Sequence, residues 1–271
     1  MIYFASDFHL GMGINADERE RKICRWLDFV SEDASDIFLL GDLFDFWFEY
    51  KKAVPKGFVR FLGKLAELTD KGIRIHVCVG NHDLWMRDYL EKECGVRIFR
   101  EPEVHEFSGR TFVLHHGDGL GPGDEKYKLL KRIFTNKLAQ GFFGMLHPDL
   151  GIRLASGWSK KSRLNQPKWE ETFQGNDKEY LVQFCEDWSL VDGRGTLVHG
   201  RGSLVDGRES LVGGSGNVVD YFVFGHRHLL LDVTLSNGVS RYINLGQWFT
   251  GSAYAKFDGD ELVVHEFEKI K

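Results

Sequence analysis

The chain has 271 residues, enough for one large α/β domain or two small ones, and its 42% hydrophobic content can supply a substantial core. A formal net charge of -5 gives no overall reason to bind nucleic acid, because neutralising phosphates calls for a surplus of Lys and Arg. Cys24, Cys78, Cys94 and Cys185 lie far apart, which argues against a thiolate zinc site or a disulfide framework and suits a reducing cytoplasm.

Met1 to Ser6 is apolar but too short for a signal sequence and lacks a basic leader, so it reads as a strand. No apolar run nears the roughly 20 residues that cross a bilayer as a helix, which leaves only a peripheral relation to membranes. Short β-rich runs recur at Ile2–Ala5, Ile37–Leu40, Ile73–Val79, Thr111–Leu114 and Tyr221–Phe224, each ending at a polar cluster of Asp, Asn or His. Between the early runs, Ile23, Trp26, Leu27 and Val30 share one helical face, as do Phe58, Phe61, Leu62 and Leu65. Strand alternating with helix predicts an α/β fold, in which ligands gather beyond the carboxyl ends of the strands.

From 124 to 188 the strand rhythm stops. Tyr127, Leu130, Ile133, Phe134 and Leu138 predict a helix, followed by Phe142, Phe143, Arg153, Trp158, Lys160 and Lys161, so this stretch reads as a helical insertion. Residues 189–217 read as a glycine-rich loop. Within it a seven-residue repeat starts at Leu190, Leu197, Leu204 and Leu211, and its His199 is not expected to be a ligand. After Arg241 the pattern returns to strands, Tyr242–Leu245, Tyr254–Phe257 and Leu262–Phe267, the last two joined by the turn signal Asp258-Gly259-Asp260.

The clusters at the strand ends carry the chemistry. Asp7-Phe8-His9 offers a carboxylate and an imidazole at alternate positions, which strand pleating would point the same way. In Gly41-Asp42-Leu43-Phe44-Asp45, Asp42 can bridge two cations and Asp45 can orient a ligand. Gly80-Asn81-His82-Asp83 offers a neutral amide oxygen, and His115-His116-Gly117-Asp118 and Gly225-His226-Arg227-His228 add imidazoles. Singly, each is explained as well by a turn-forming Asp or Asn or by a structural histidine. Five of them, each after a predicted strand, are not, since turn chemistry has no use for so many imidazoles. Oxygen and imidazole donors without thiolate suit Mn²⁺, Fe²⁺ or Zn²⁺. A pair of such ions about 3.5–4 Å apart suits phosphate ester or anhydride hydrolysis.

In this order the five clusters resemble the calcineurin-like metallophosphoesterase superfamily, whose pattern is D-x-H, G-D-x-x-D, G-N-H-D/E, H before G-D, and G-H-x-H. The resemblance implies an αββα sandwich in a single domain, 1–271, with the insertion capping the metal site as a lid. It implies that Asp7, His9 and His228 hold one metal, that Asn81, His116 and His226 hold the other, and that Asp42 bridges them. His116 is preferred to His115 because the family's ligand directly precedes Gly-Asp. His82 would stabilise the attacked phosphate, so that His82 and Asp42 are the catalytic expectations.

Within the superfamily, Ser6-Asp7-Phe8-His9-Leu10, Gly41 to Trp47, His116-Gly117-Asp118-Gly119-Leu120 and Leu245-Gly246-Gln247-Trp248 resemble the UDP-2,3-diacylglucosamine hydrolase family of lipid A biosynthesis over nearly the whole chain. That implies two divalent ions, Mn²⁺ first, and a diacylated sugar nucleotide cleaved to UMP and an acylated sugar 1-phosphate. The substrate contacts implied are Asn81, His82, Asp124, Ser162, Lys168 and His226. His82 stands where many enzymes of that family carry Arg, and the repeat is not a family feature. An insertion rich in apolar and basic residues suits acyl chains and a diphosphate, and suits docking on the cytoplasmic face of the inner membrane. No nucleic acid or protein partner is expected. The competing enzyme reading is a phosphodiesterase or nucleotide pyrophosphatase acting on a soluble substrate. A nuclease is opposed by the acidic balance, and a scaffold without catalysis by the presence of every expected ligand.

Overall fold

The computed structural model describes residues 1–122, 125–164, 172–189 and 218–268. Its elements run β1 (Ile2–Ala5), α1 (Ala16–Val30), β2 (Asp36–Leu40), α2 (Val59–Asp70), β3 (Arg74–Cys78), α3 (Tyr89–Cys94), β4 (Arg97–Phe99), β5 (Glu103–Phe107) and β6 (Arg110–Leu114). There follow α4 (Glu125–Thr135), α5 (Lys137–Phe143), α6 (Pro148–Leu164), α7 (Tyr180–Ser189), β7 (Tyr221–Phe224), β8 (Leu230–Thr234), β9 (Arg241–Leu245), β10 (Ala253–Phe257) and β11 (Leu262–Glu266).

Two sheets form, one in the order β11-β10-β1-β2-β3-β4 and one in the order β5-β6-β7-β9-β8. The central strands β1 to β4, and β6, β7 and β9, are parallel, while the terminal hairpin adds β10 and β11 antiparallel. Strand alternation sorts the apolar residues into three layers. Tyr3, Ala5, Ile37, Leu39, Ile75 and Val77 face Ile23, Trp26, Leu27, Phe61, Leu65 and Leu90 of α1 to α3. Ile2, Phe4, Phe38 and Leu40 face Phe112, Leu114, Val223 and Ile243 across the gap between the sheets. Val113, Phe222, Phe224 and Tyr242 face Leu181, Val182 and Cys185 of α7. Helix, sheet, sheet, helix is the αββα sandwich, and strands covered on both sides read as unbroken apolar runs.

The expected strands are present within a residue or so at each end, with Ile2–Ala5 and Tyr221–Phe224 unchanged. Three strands escaped notice: β4, with three residues, and the edge strands β5 and β8, whose alternating exposure carries no continuous apolar run. The insertion is built differently from expectation in two respects. The helix predicted through Leu138 is two helices, because the Asn136 side chain accepts the N–H groups of Leu138 and Ala139 and starts α5 afresh. Its last helix, α7, is the outer layer over the second sheet and so part of the sandwich. The repeat, 190–215, lies outside the described residues, as do Asp124 and Lys168; Ser162 falls in α6, where its side chain is outside the description. No helix among the described residues is long and apolar enough to cross a membrane, and all four cysteines are free thiols.

Candidate metal centre

The turns after β1, β2, β3, β6 and β7 meet at one end of the sandwich, where the parallel strands of both sheets finish. The first two are laced together past their strands: Asp7 N–H donates to Gly41 O and His9 N–H to Asp42 O, at 3.0 and 2.9 Å. The alignment of Asp7 and His9 does not come from strand pleating, because β1 stops at Ala5. It comes from left-handed backbone: Asp7, His9, Asp42, His226 and His228, five of the seven predicted ligands, have positive φ. A residue with a Cβ adopts that conformation at a cost of about 1–2 kcal/mol, which is accepted where the surroundings hold it and a function uses it.

Those surroundings are visible. The buried guanidinium of Arg19, on α1, donates to His9 O at 2.7 Å and to Met12 O at 2.5 Å, fixing the first turn. Buried Asp83 accepts Gly80 N–H at 2.6 Å and Leu43 N–H at 2.9 Å, clasping the second and third turns together. Its carboxyl is pushed up to about 7 by burial and by the neighbouring Asp42. Gly80 and Gly225 are required by close approach, since a Cβ on the first would overlap Asp42 Oδ1 and one on the second Asp7 Oδ2.

Two groups of donor atoms result. Asp7, His9, Asp42 and His228 each bring one donor within 4.8 Å of the others, with His9 Nε2 3.0 Å from His228 Nε2 and His228 Nε2 3.3 Å from Asp7 Oδ1. Beside them, Asn81 Oδ1 lies 3.1 Å from His116 Nε2 and 2.7 Å from His226 Nδ1, and His116 Nε2 lies 3.4 Å from Asp42 Oδ2. Asp42 belongs to both. His116 Nδ1 donates to Leu40 O at 2.8 Å, which aims Nε2 at the Asn81 and Asp42 oxygens. Oxygen and imidazole donors thus converge at two adjoining points, a donor set that suits divalent cations. Charge tells the same story. Burial opposes ionisation of Asp7 and Asp42, yet the surrounding imidazoles hold both carboxyls well below their ordinary range. Burial also opposes a charge on His116, but Asp42 and Asp7 override it and raise its pKa to about 10. His226, buried beside His116, is lowered to about 3. Without metal the carboxylates gather protons on one imidazole; a cation can take that place.

His82 stands at the mouth. Its Nδ1–H donates to Asp45 O at 2.9 Å, and its Nε2 lies 4.0 Å from Asp42 Oδ2. Asp45 thus orients His82 through its carbonyl, while its carboxylate lies 3.9 Å from His9 Nδ1, beyond a hydrogen bond. His115 is structural: Nε2–H donates to Arg100 O at 3.1 Å, Nδ1 accepts Gly117 N–H at 2.9 Å, and burial lowers its pKa to about 4.

A profile for calcineurin-like phosphoesterase matches residues 1–230. The chain belongs to the calcineurin-like phosphoesterases. It is accordingly a metal-dependent hydrolase, and its Asp and His donors fit divalent cations. A UDP-2,3-diacylglucosamine hydrolase of Porphyromonas gingivalis is 36% identical over 289 residues, covering 100% of this chain and 98% of that one. A second, of Hahella chejuensis, is 31% identical over 140 residues, 52% of this chain and 56% of that one. Among solved structures, Yfce, a phosphoesterase from E. coli, is similar at 16% identity with a TM-score of 0.45, covering 98% of this chain and 93% of that one.

Several residues that complete the phosphoesterase site were not singled out from sequence. Phe249 places its ring 5.9 Å from that of His9 and 5.5 Å from that of His228. From α4, Tyr127 donates to Asp118 Oδ2 at 2.6 Å with its ring 6.3 Å from His226, and Lys131 Nζ pairs with the same oxygen at 2.7 Å. A lysine and a tyrosine four apart on one helical face were a usable signal, whereas Phe249 carried none.

Proposed function

We propose that this phosphoesterase hydrolyses the diphosphate of UDP-2,3-diacylglucosamine, giving UMP and 2,3-diacylglucosamine 1-phosphate in lipid A biosynthesis. The observation that carries the substrate is the 36% identity to the P. gingivalis hydrolase across the full length of both chains, insertion included. Two ions, Mn²⁺ first, would be held by Asp7, His9 and His228 on one side and by Asn81, His116 and His226 on the other, with Asp42 between. When bound, such a pair supplies Lewis acidity, lowering the pKa of water near neutral and drawing charge off phosphoryl oxygens. Water attacks the phosphorus nearer uridine; its bond to the bridging oxygen breaks, and that oxygen leaves on the sugar phosphate. His82, its Nδ1–H given to Asp45 O, would stabilise a phosphoryl oxygen through Nε2–H of the doubly protonated ring.

The insertion would receive the acyl chains and meet the bilayer. Helices α4 and α5 rest on an aromatic platform beside the second turn: Trp85 Nε1–H donates to Phe134 O at 2.6 Å, and the Phe143 ring lies 4.6 Å from Trp85 and 4.9 Å from Phe48. Outside, Leu138, Phe142 and Met145 stand 75, 70 and 76% exposed at helical spacing, with Leu150 and Leu154 on α6 and the exposed cations Arg132, Lys137 and Arg153 nearby. Apolar side chains rimmed by cations suit an anionic membrane face, which supports a peripheral place on the cytoplasmic side of the inner membrane.

The test is UMP release with Mn²⁺ from the diacylated sugar nucleotide and from its unacylated counterpart, by the protein and by its Asp42→Ala variant. Release that needs the acyl chains and vanishes in the variant is expected. Equal turnover of both substrates would turn the reading to a soluble nucleotide pyrophosphatase.

A further inference from the structure

His226 and His228 are separated by a single residue, yet their rings serve different donor groups: His226 Nδ1 meets Asn81 Oδ1 at 2.7 Å, and His228 Nε2 meets His9 Nε2 at 3.0 Å. Both have positive φ, 71° and 54°. Sterics alone would not keep a three-residue turn in that shape. Part of the restraint comes from the strand side, where His226 N–H donates to the Asp7 carboxylate at 3.1 Å, Gly225 N–H to His116 O at 2.9 Å, and Asn244 Nδ2 to Gly225 O.

The Arg227 side chain offers a further restraint. Its guanidinium grips the carboxylate of Glu179 in a two-pronged pair, Nε to Oε1 at 2.7 Å and Nη2 to Oε2 at 3.2 Å. The Glu179 side chain is only 2% exposed and that of Arg227 10%. A planar fork met at both prongs fixes direction as well as distance, which a lysine in the same place would not. Glu179 is itself anchored: it precedes α7, accepts Gln183 N–H at 3.0 Å through its carbonyl, and is followed by Leu181 and Val182 in the outer apolar layer. The same helix start touches the other histidine turn, because a Cβ on Gly117 would meet Leu181 Cδ1 at 3.1 Å.

We propose that the Glu179–Arg227 pair is a positioning clamp that sets the spacing of the two metal-holding histidines, so that both donor groups are complete at once. The clamp rests on the two-metal reading of the site. Both residues act through the backbone of 225–228. The arrangement assigns a task to the variable residue of the G-H-x-H motif and links it to the helix where the chain leaves the insertion.

The test loads the purified full-length protein with Mn²⁺ and follows metal stoichiometry, affinity and the electron paramagnetic resonance spectrum, beside the thermal unfolding of the metal-free form. The unaltered protein should bind two ions with the exchange-coupled spectrum of a neighbouring pair. Arg227→Met should weaken Mn²⁺ binding by roughly ten- to a hundredfold and replace the coupled spectrum by that of isolated ions. Glu179→Gln, which keeps shape and one hydrogen bond, should change both in the same direction but less, and it serves where Arg227→Met does not fold. A coupled spectrum and unchanged affinity in both variants, whatever their unfolding temperatures, would overturn the clamp and leave the pair a stabilising contact. An unaltered protein that binds no pair of ions would overturn the two-metal reading and the clamp with it, an outcome distinct from the first.

Discussion

The five strand-end turns and the helical insertion are built by opposite means. In the turns, polar side chains are buried and left-handed backbone falls at Asp7, His9, Asp42, His226 and His228. In the insertion, apolar side chains such as Leu138, Phe142 and Met145 are exposed, and the helices lean on a few aromatic rings. A site that holds cations needs donors fixed within tenths of an ångström, so it is made of short, strained, mutually braced turns. A surface that receives acyl chains or a bilayer needs apolar area and little exact geometry.

Breaking the turns should therefore abolish chemistry, and breaking the insertion should redirect it. The largest effect is expected for Asp42→Ala, which removes the oxygen common to both donor groups: kcat should fall by roughly a thousandfold or more, about 4 kcal/mol of barrier, with the fold intact by circular dichroism. Gly80→Ala should follow, because its Cβ overlaps Asp42 Oδ1; about a hundredfold loss of metal affinity, read by titration calorimetry, is expected. The converse substitution is Phe4→Ala. Phe4 is fully buried between the sheets, its ring 5.4 Å from Phe38 and 5.8 Å from Phe112. The change should cost about 3–5 kcal/mol of stability by denaturant unfolding while leaving the metal affinity of the folded protein unchanged.

For the insertion, replacing Phe142 and Met145 together by Asp should weaken cosedimentation with anionic vesicles by about tenfold or more. Hydrolysis of a small chromogenic phosphodiester should not change, and an equal loss of both would place these side chains in the chemistry instead.

A further effect concerns acid. His115 is lowered from 6.5 to about 4 by burial, so between those values the unfolded chain binds the extra proton and the folded one does not. The stability from a neutral His115 is complete above pH 6.5 and is lost as the pH falls toward 4, roughly 3 kcal/mol at most. The pH dependence of unfolding of the metal-free protein should flatten over that window in His115→Gln.

Legibility in the sequence follows the same division. The strand-end clusters were readable because buried parallel strands leave continuous apolar runs and metal donors leave imidazoles that turns do not need. What was misjudged was the cause: pleating does not align Asp7 with His9; left-handed turns do, and these announce themselves only where glycine occupies them. Arg19 and Asp83, which brace the turns, look like a surface charge and a turn former until their burial is known. The break at Asn136 and the membership of α7 in the sandwich were hidden because helical periodicity runs through a cap and does not say which layer a helix covers. Edge strands β5 and β8 alternate with polar residues and pass for loops.

The most direct measurement is anomalous diffraction from crystals of the protein grown with Mn²⁺. Two peaks flanking the Asp42 carboxylate, one among Asp7, His9 and His228 and one among Asn81, His116 and His226, are predicted. A single peak, or density placed away from Asp42, would contradict the shared centre on which the hydrolase reading stands.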